Sequence, residues 1–390
     1  MIILIINGIR MSGLGCRQFS LDIYNYVKDI HQTDFVVYDL KTNIDYNKYD
    51  LCIITTVPKK TDGKKFINGF LDTLEKLECK KVFLEVSHQI SFRKCFYYKE
   101  EYRDNFLKNI DLIINHIDYG RYKEFLDESN YKGILKKSLM VTTDYDKLRE
   151  QIPVSKKEDN LVMWIGRPVV YKGIYKSIDF CKNYLLKNNY VCTHFGVDNG
   201  KRMFDLMYKG GEYGWKKGWH ELDVPLQKQH IPHDFLKLNI DKDSKQVIDM
   251  NNTNQVQLLG KYTRETIIPY LSKCKFGLFL SYIPREEGPI ENTFNEFICS
   301  GTVPIVLKEW FEEVQINGLF LKDYNPEDIG LIILDVNKQQ ECLNKMNELR
   351  NNEELYNQYV INGYNFFKGV LDTSVIGKHL IDVILETLYK

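Results

Sequence analysis

Short apolar runs alternate with helical stretches along most of this chain, and the alternation occurs twice. Strand candidates lie at 1–6, 34–38, 51–56, 81–86, 110–115 and 138–142, then again at 161–165, 190–195, 255–259, 275–280, 303–306 and 317–320. Most are continuously apolar rather than alternating, so both faces of each sheet must be covered. Strands separated by helices meet that demand as parallel sheets with crossovers on both sides. The polar, proline-containing segment "REQIPVSKKEDN", residues 149 to 160, reads as a linker. The expectation is an α/β protein of two doubly wound, Rossmann-like domains facing across a cleft. Residues 1–155 would form the first domain and 156–370 the second. The chain beyond about residue 337 reads as helical, with a final helix over 371–390 packing back on the first domain.

At 390 residues, 44% hydrophobic and 27% charged, two ordinary globular cores are within reach. No apolar run approaches the ~20 residues of a membrane span, and "MIILIINGI" reads as a first buried strand rather than a signal peptide. The nine cysteines include no C-x-x-C pair, so neither a zinc site nor a disulfide framework is implied and a reducing cytosol is expected. "HIPH", with His230 and His233, carries a proline and reads as a surface loop rather than a metal site. A formal net charge of zero excludes a wholly basic nucleic-acid binder but leaves room for a local basic face.

Chemistry-bearing residues gather where strands run into helices. In "LVMWIGRPVVYKGIYKSIDF", residues 161 to 180, a strand breaks at Gly-Arg and a helix begins after Lys-Gly. Arg167 and Lys172 thus stand on a loop at the carboxyl end of a strand, where open α/β sheets place ligands. The first strand runs into Gly13 and Gly15 before a helix: either a tight turn or a place where backbone approaches a phosphate. "EEGPIENTFNEFICSGTVPIV" sets Glu291 and Glu296 before the strand Val303 to Val306. Cations that neutralise phosphate, beside carboxylates that accept from hydroxyls, suit a ligand carrying a diphosphate and a sugar.

The ordered set "MWIGRPVVYKGIYKSIDF", "VQLLGKYTRETIIPYLSKCKFGLFLS" and "NEFICSGTVPIV" resembles the nucleotide-sugar domain of retaining GT-B glycosyltransferases. More narrowly, the chain resembles the T-even phage DNA α-glucosyltransferases. "GLGCRQFSL", "ITTVP" and "NHIDYG" have counterparts there in order. The resemblance covers nearly the whole chain and is weakest at 197–254 and beyond 310. It implies a GT-B fold, UDP-glucose as donor, and Arg167 and Lys172 on the diphosphate. It also implies Glu296 on the ribose hydroxyls, Glu291 by the glucose, Gly260 to Tyr262 near the uracil, and the Gly13–Gly15 turn by the phosphates. Glu291 and Glu296 match the phage spacing. The wider family has two glutamates eight apart, and its earlier position is Gly288 here.

Two departures bear on the acceptor. The phage enzymes carry a His-Asp-His-Ser segment where this chain reads "LEVSHQISFRK", so His88 and Glu85 are the candidates for a catalytic base. A same-face retaining transfer can instead hand the proton to the leaving phosphate, and His88 also reads as a core histidine. The segment Gly196 to Asn254 holds Trp215, Lys216, Lys217 and Trp219, which suit nucleic acid or simply pack as a loop. Lys59, Lys60, Lys64, Lys65, Arg93 and Lys94 follow strands of the first domain and would meet DNA phosphates, or be solvated surface. The expected activity is transfer of glucose to a hydroxymethylated pyrimidine, cytosine or uracil, in phage DNA. It would need no metal or other cofactor, would be carried out by a monomer in the host cytoplasm, and would protect the DNA from nucleases. A polysaccharide, lipid or protein acceptor is the alternative, and a non-catalytic nucleotide-binding protein a third reading.

Overall fold

A computed structural model of the chain describes residues 1–8, 14–58, 62–85, 100–115, 131–137, 143–153, 155–166, 172–196, 236–238, 247–260, 262–281 and 290–390. Successive residues of the first strands bury on opposite faces of one sheet. The elements are β1 (Ile2–Asn7), α1 (Leu14–Val27), β2 (Gln32–Val37), β3 (Leu51–Thr56), α2 (Lys64–Lys76), β4 (Lys80–Glu85), α3 (Glu100–Lys108), β5 (Leu112–Asn115) and β6 (Ile134–Lys137). All pairings are parallel, in the order β2-β1-β3-β4-β5-β6. Ile3, Ile5, Leu51, Ile53, Val82 and Leu84 pack with Ile23 and Val27 of α1. Leu4, Ile6, Cys52, Ile54 and Phe83 pack on the other side with Phe66 and Phe70 of α2 and Phe106 of α3. Two buried faces explain why these strands read as unbroken apolar runs.

The second sheet is built the same way. It follows α4 (Tyr145–Gln151) with β7 (Glu158–Ile165), α5 (Ile174–Phe180), β8 (Val191–Phe195), β9 (Leu236–Leu238), β10 (Val256–Leu258), α6 (Arg264–Leu271), β11 (Cys274–Phe279), α7 (Asn292–Cys299), β12 (Val303–Leu307), α8 (Lys308–Glu313), β13 (Gln315–Ile316), β14 (Leu319–Phe320) and β15 (Ile332–Leu334). Its order is β15-β12-β11-β7-β8-β10-β9, parallel throughout. From β7 the chain lays β8 on one side and later returns to lay β11 on the other. That reversal is the topological switch point, with its crevice at the carboxyl ends of β7 and β11. The chain closes with α9 (Gln339–Asn351), α10 (Glu353–Leu371) and α11 (Thr373–Leu388).

Three local expectations need correcting or placing. The strand expected at 317–320 is half of an antiparallel hairpin, β13 with β14, outside the main sheet. Asn317 and Gly318 sit at φ 48° and 92°, the geometry of the two-residue turn that an Asn-Gly pair favours. The sixth position is filled instead by β15. The segment 149–160 is not all linker: α4 runs to Gln151 and β7 begins at Glu158. The strand expected at 138–142 lies outside the described residues, and β6 precedes it.

The chain divides into two compact units, Met1–Asp144 with Gly369–Lys390, and Tyr145–Lys368. Helix α11 belongs to the first, where Leu380, Ile381 and Ile384 join Ile3, Ile5 and Ile53 in one core. Helix α4 belongs to the second, because buried Tyr145 donates from its hydroxyl to Asn295 Oδ1 of α7 at 2.9 Å. Among the described residues no helix is long and apolar enough to cross a membrane. Tyr145→Phe should lower the stability of the second unit by about 1 kcal/mol, the net worth of one such bond, read as a lower urea midpoint at unchanged slope.

Candidate active site

Helix α7 is buried along Thr293–Cys299, so it has no solvent face on which to leave a polar side chain. Its polar residues must therefore find partners. Asn295 takes the Tyr145 hydroxyl. Glu296, 6% exposed, accepts from Arg264 Nε through Oε1 at 3.1 Å. Burial pushes the Glu296 carboxyl up from its usual range, and Arg264 pulls it back down.

Glu291 stands at the N-cap of α7 with extended backbone, φ −111° and ψ 159°, yet its side chain makes no capping bond. Its Oε2 pairs with Lys172 Nζ, both side chains being largely covered. Oε1 is buried without a hydrogen-bond partner among the described residues. Five positions separate Glu291 from Glu296, which at 3.6 residues per turn places them about 140° apart around the axis. One carboxylate therefore meets Lys172 on the loop after β7, and the other meets Arg264 at the start of α6.

Lys172 is held by the layer beneath it. Trp164, on β7, donates from Nε1 to the Lys172 carbonyl at 3.1 Å, and its ring lies 5.3 Å from that of His194 on β8. His194 Nε2 is 2.8 Å from Ser177 Oγ on α5. Burial pulls the His194 imidazole down to about 3, so it is neutral and serves as packing at working pH.

Across the same edge, Gly196 N donates to Gly260 O at 2.7 Å, joining the ends of β8 and β10. Gly196 has φ +96°, and a Cβ there would lie 1.8 Å from Gly166 O and 3.3 Å from the Tyr262 ring. Only glycine fits so close a crossing. Thr263 caps α6, its hydroxyl accepting from Thr266 N while Thr266 Oγ1 accepts from Thr263 N. That cap fixes where Arg264 begins.

The structure thus brings Lys172, Glu291, Glu296, Gly260 and Tyr262 to one edge of the second unit. Arg264 completes the set; the sequence reading passed over it, although Thr263 and Thr266 frame a capping pattern. In the first unit Gly15 falls in the first turn of α1. Glu85 is 2% exposed at the end of β4, level with Asn115 on β5. At the neighbouring ends of β1 and β3, Thr56 Oγ1 donates to Asn7 Oδ1 at 2.6 Å, and Ser20 Oγ lies 2.7 Å from Thr55 Oγ1. Lys64 and Lys65 are exposed at the start of α2. Gly13, Arg167, His88, Lys59, Lys60, Arg93 and Lys94 lie outside the described residues, as do His230, His233, Trp215, Lys216, Lys217 and Trp219.

No group of three or more His, Cys, Asp and Glu among the described residues could hold a metal ion. The chain contains two Asp-x-Asp sequences, Asp144–Asp146 and Asp241–Asp243. In the first, Asp146 is engaged by Lys368 and the Tyr364 hydroxyl; the second lies outside the described residues.

No protein-family model matches the chain. It is 23% identical over 362 residues to the DNA alpha-glucosyltransferase of Enterobacteria phage T4, covering 87% of this chain and 82% of that one. Among solved structures, an alpha-glucosyltransferase in complex with UDP and a 13-mer DNA containing a HMU base matches with a TM-score of 0.78 at 21% identity, covering 98% of this chain and 99% of that one. The fold is that of an alpha-glucosyltransferase. A second such structure, in complex with UDP-glucose and DNA containing an abasic site, matches at TM-score 0.77 and 20% identity, with 98% and 99% covered. The two parallel sheets of this chain fit a two-domain, Rossmann-like GT-B fold.

The Gly196 crossing gives a direct check on the geometry of this edge. Gly196→Ala should destabilise the second unit by at least ~1–3 kcal/mol, the usual range for overpacking, because the methyl meets backbone rather than a side chain that can swing away. A thermal melt matching that of the unsubstituted protein would contradict the close approach.

Proposed function

We propose that the chain is a retaining glucosyltransferase that moves glucose from UDP-glucose to the hydroxymethyl group of a modified pyrimidine, cytosine or uracil, in duplex DNA. The observation that carries the reading is the match to the phage T4 DNA alpha-glucosyltransferase along most of both chains. Its setting would be the cytoplasm of an infected bacterium, where a glucosylated base shields phage DNA from nucleases. The protein would act as a monomer.

The donor would sit at the switch point of the second sheet. Arg167 and Lys172 would take the diphosphate. Glu296 would accept from the ribose hydroxyls, Gly260 and Tyr262 would border the uracil, and Glu291 would lie by the glucose. Because Glu291 pairs with Lys172, one carboxylate would orient both the cation and the sugar. Lys59, Lys60, Arg93 and Lys94 would hold DNA phosphates, and the target base would leave the helical stack to be reached.

In the transfer, the hydroxymethyl oxygen bonds to glucose C1 as the bond from C1 to the UDP phosphate oxygen breaks. The departing diphosphate takes the electron pair, and the hydroxyl proton passes to a phosphate oxygen or to a base, for which His88 and Glu85 are candidates. Positioning and electrostatic stabilisation of the leaving group supply the rate. With two cations on the diphosphate, no metal would be needed for the chemistry.

Three outcomes are expected. Duplexes carrying hydroxymethylcytosine or hydroxymethyluracil should gain one hexose per modified base by mass spectrometry, while a cytosine duplex binds but gains none. Transfer only to a glycan or lipid would overturn the acceptor. Lys172→Ala and Arg167→Ala should each weaken UDP binding about tenfold to a hundredfold, since each removes a charge-assisted contact worth roughly 1.5–3 kcal/mol; unchanged affinity in both would remove the diphosphate assignment. Activity should persist in excess chelator, and complete loss reversed by a divalent ion would contradict the metal-free chemistry.

A further inference from the structure

Helix α6 begins against a local rule. Its first residue is Arg264, a cation placed at the positive end of a helix, where an acid is favoured. Glu265 beside it follows the rule and is solvent-exposed, its carboxyl held below the usual range chiefly by the Thr263 hydroxyl. Arg264 does not follow it, and its Nε is spent on Oε1 of a carboxylate that is almost wholly buried on another helix. Two other covered cations of this unit, Lys157 and Lys275, lie away from the carboxyl edge and have plain structural duties. Lys157 donates to the Leu271 and Ser300 carbonyls, at the C-terminal ends of α6 and α7. Lys275 pairs with Asp159 and Glu353. A broken local preference at the ligand-bearing edge of a doubly wound sheet marks a functional constraint rather than a stabilising one.

Chemistry says what the constraint serves. A carboxylate recognises a vicinal diol by accepting from both hydroxyls, which requires that it be ionised and that its plane be fixed. Burial opposes ionisation, and a guanidinium, charged at every working pH, works against that effect. Arg264 engages Oε1 alone through Nε, so the bond fixes the carboxylate's rotation while Oε2 takes no part in it. The cap formed by Thr263 and Thr266 holds the arginine's own starting point.

We propose that Arg264 is a positioning residue that acts through Glu296, and that the protein's preference for a ribonucleotide donor over a deoxyribonucleotide donor depends on this pair. The inference rests on the reading that Glu296 meets the donor ribose, and goes beyond it by assigning the residue that makes that contact selective.

The test compares binding of UDP and 2′,3′-dideoxy-UDP by calorimetry in the unsubstituted protein and in Arg264→Met, Arg264→Gln, Arg264→Lys and Glu296→Gln. The unsubstituted protein should prefer UDP roughly tenfold or more, as expected for lost hydrogen bonds to a charged group. In Arg264→Met and Arg264→Gln the ratio should fall below about threefold, through weaker UDP binding with the dideoxy nucleotide little changed. Arg264→Lys should recover part of the ratio, and the KM for UDP-glucose should rise more than kcat falls. A wild-type ratio in both Arg264→Met and Arg264→Gln, with the ratio lost in Glu296→Gln, would overturn the role of Arg264 while leaving the donor reading intact. An equal loss for both nucleotides would also overturn it, since that is what general loosening of the fold produces. No binding of UDP to the unsubstituted protein would instead remove the donor reading itself.

Discussion

A parallel strand cannot be followed directly by its neighbour; the chain must first cross back over the sheet. That constraint puts every carboxyl end of a sheet on one edge and every amino end on the other. It also buries both faces, leaving the edge as the place where polar groups can gather without breaking a core. In both units the carboxyl edge is polar. Asn7, Thr55, Thr56, Glu85 and Asn115 are buried there in the first; in the second, backbone polar groups of Gly166, Gly196 and Gly260 come together there, and Glu291 pairs with Lys172. Where the chain reverses direction across the sheet, the edge opens into a crevice.

Lysine shows how position decides chemistry. Lys157 lies just before β7, at the amino edge, and burial pulls it down to about 8. Its three donors go to the carbonyls that end α6 and α7 and to Thr302, so it locks two helices. Lys275 is fully covered, lies over the Tyr356 ring at 4.4 Å and is paired with two exposed acids. Lys172, by contrast, stands on a carboxyl-edge loop, partly exposed and paired with a glutamate at a helix start. A sequence reader sees three lysines; the sheet's polarity separates the two at the amino edge from the one at the carboxyl edge.

The parallel sheets were legible because burial on both faces leaves a continuous apolar signature, clear in "IILII" and "LCIITT". Cations and acids at strand-to-helix junctions single out Lys172, Glu291 and Glu296 in the sequence, and the structure pairs Lys172 with Glu291 and Glu296 with Arg264. What escaped has physical causes. Residues 317–320 read as a sheet strand because a hairpin arm and a buried strand share composition; the Asn-Gly turn is the distinguishing mark. Strand β15 is short and follows a turn ending at Gly330, which left it unseen. Arg264 escaped because its partner Glu296 lies 32 positions away, and such pairings carry no local period. The Ser177–His194 contact was hidden for the same reason.

The most direct measurement is a crystal structure of the protein with UDP. The account predicts the nucleotide at the carboxyl edge of the second sheet, with a diphosphate oxygen within hydrogen-bond reach of Lys172 Nζ and both ribose hydroxyls donating to Glu296. A nucleotide bound elsewhere, or a ribose held by groups other than Glu296, would contradict it.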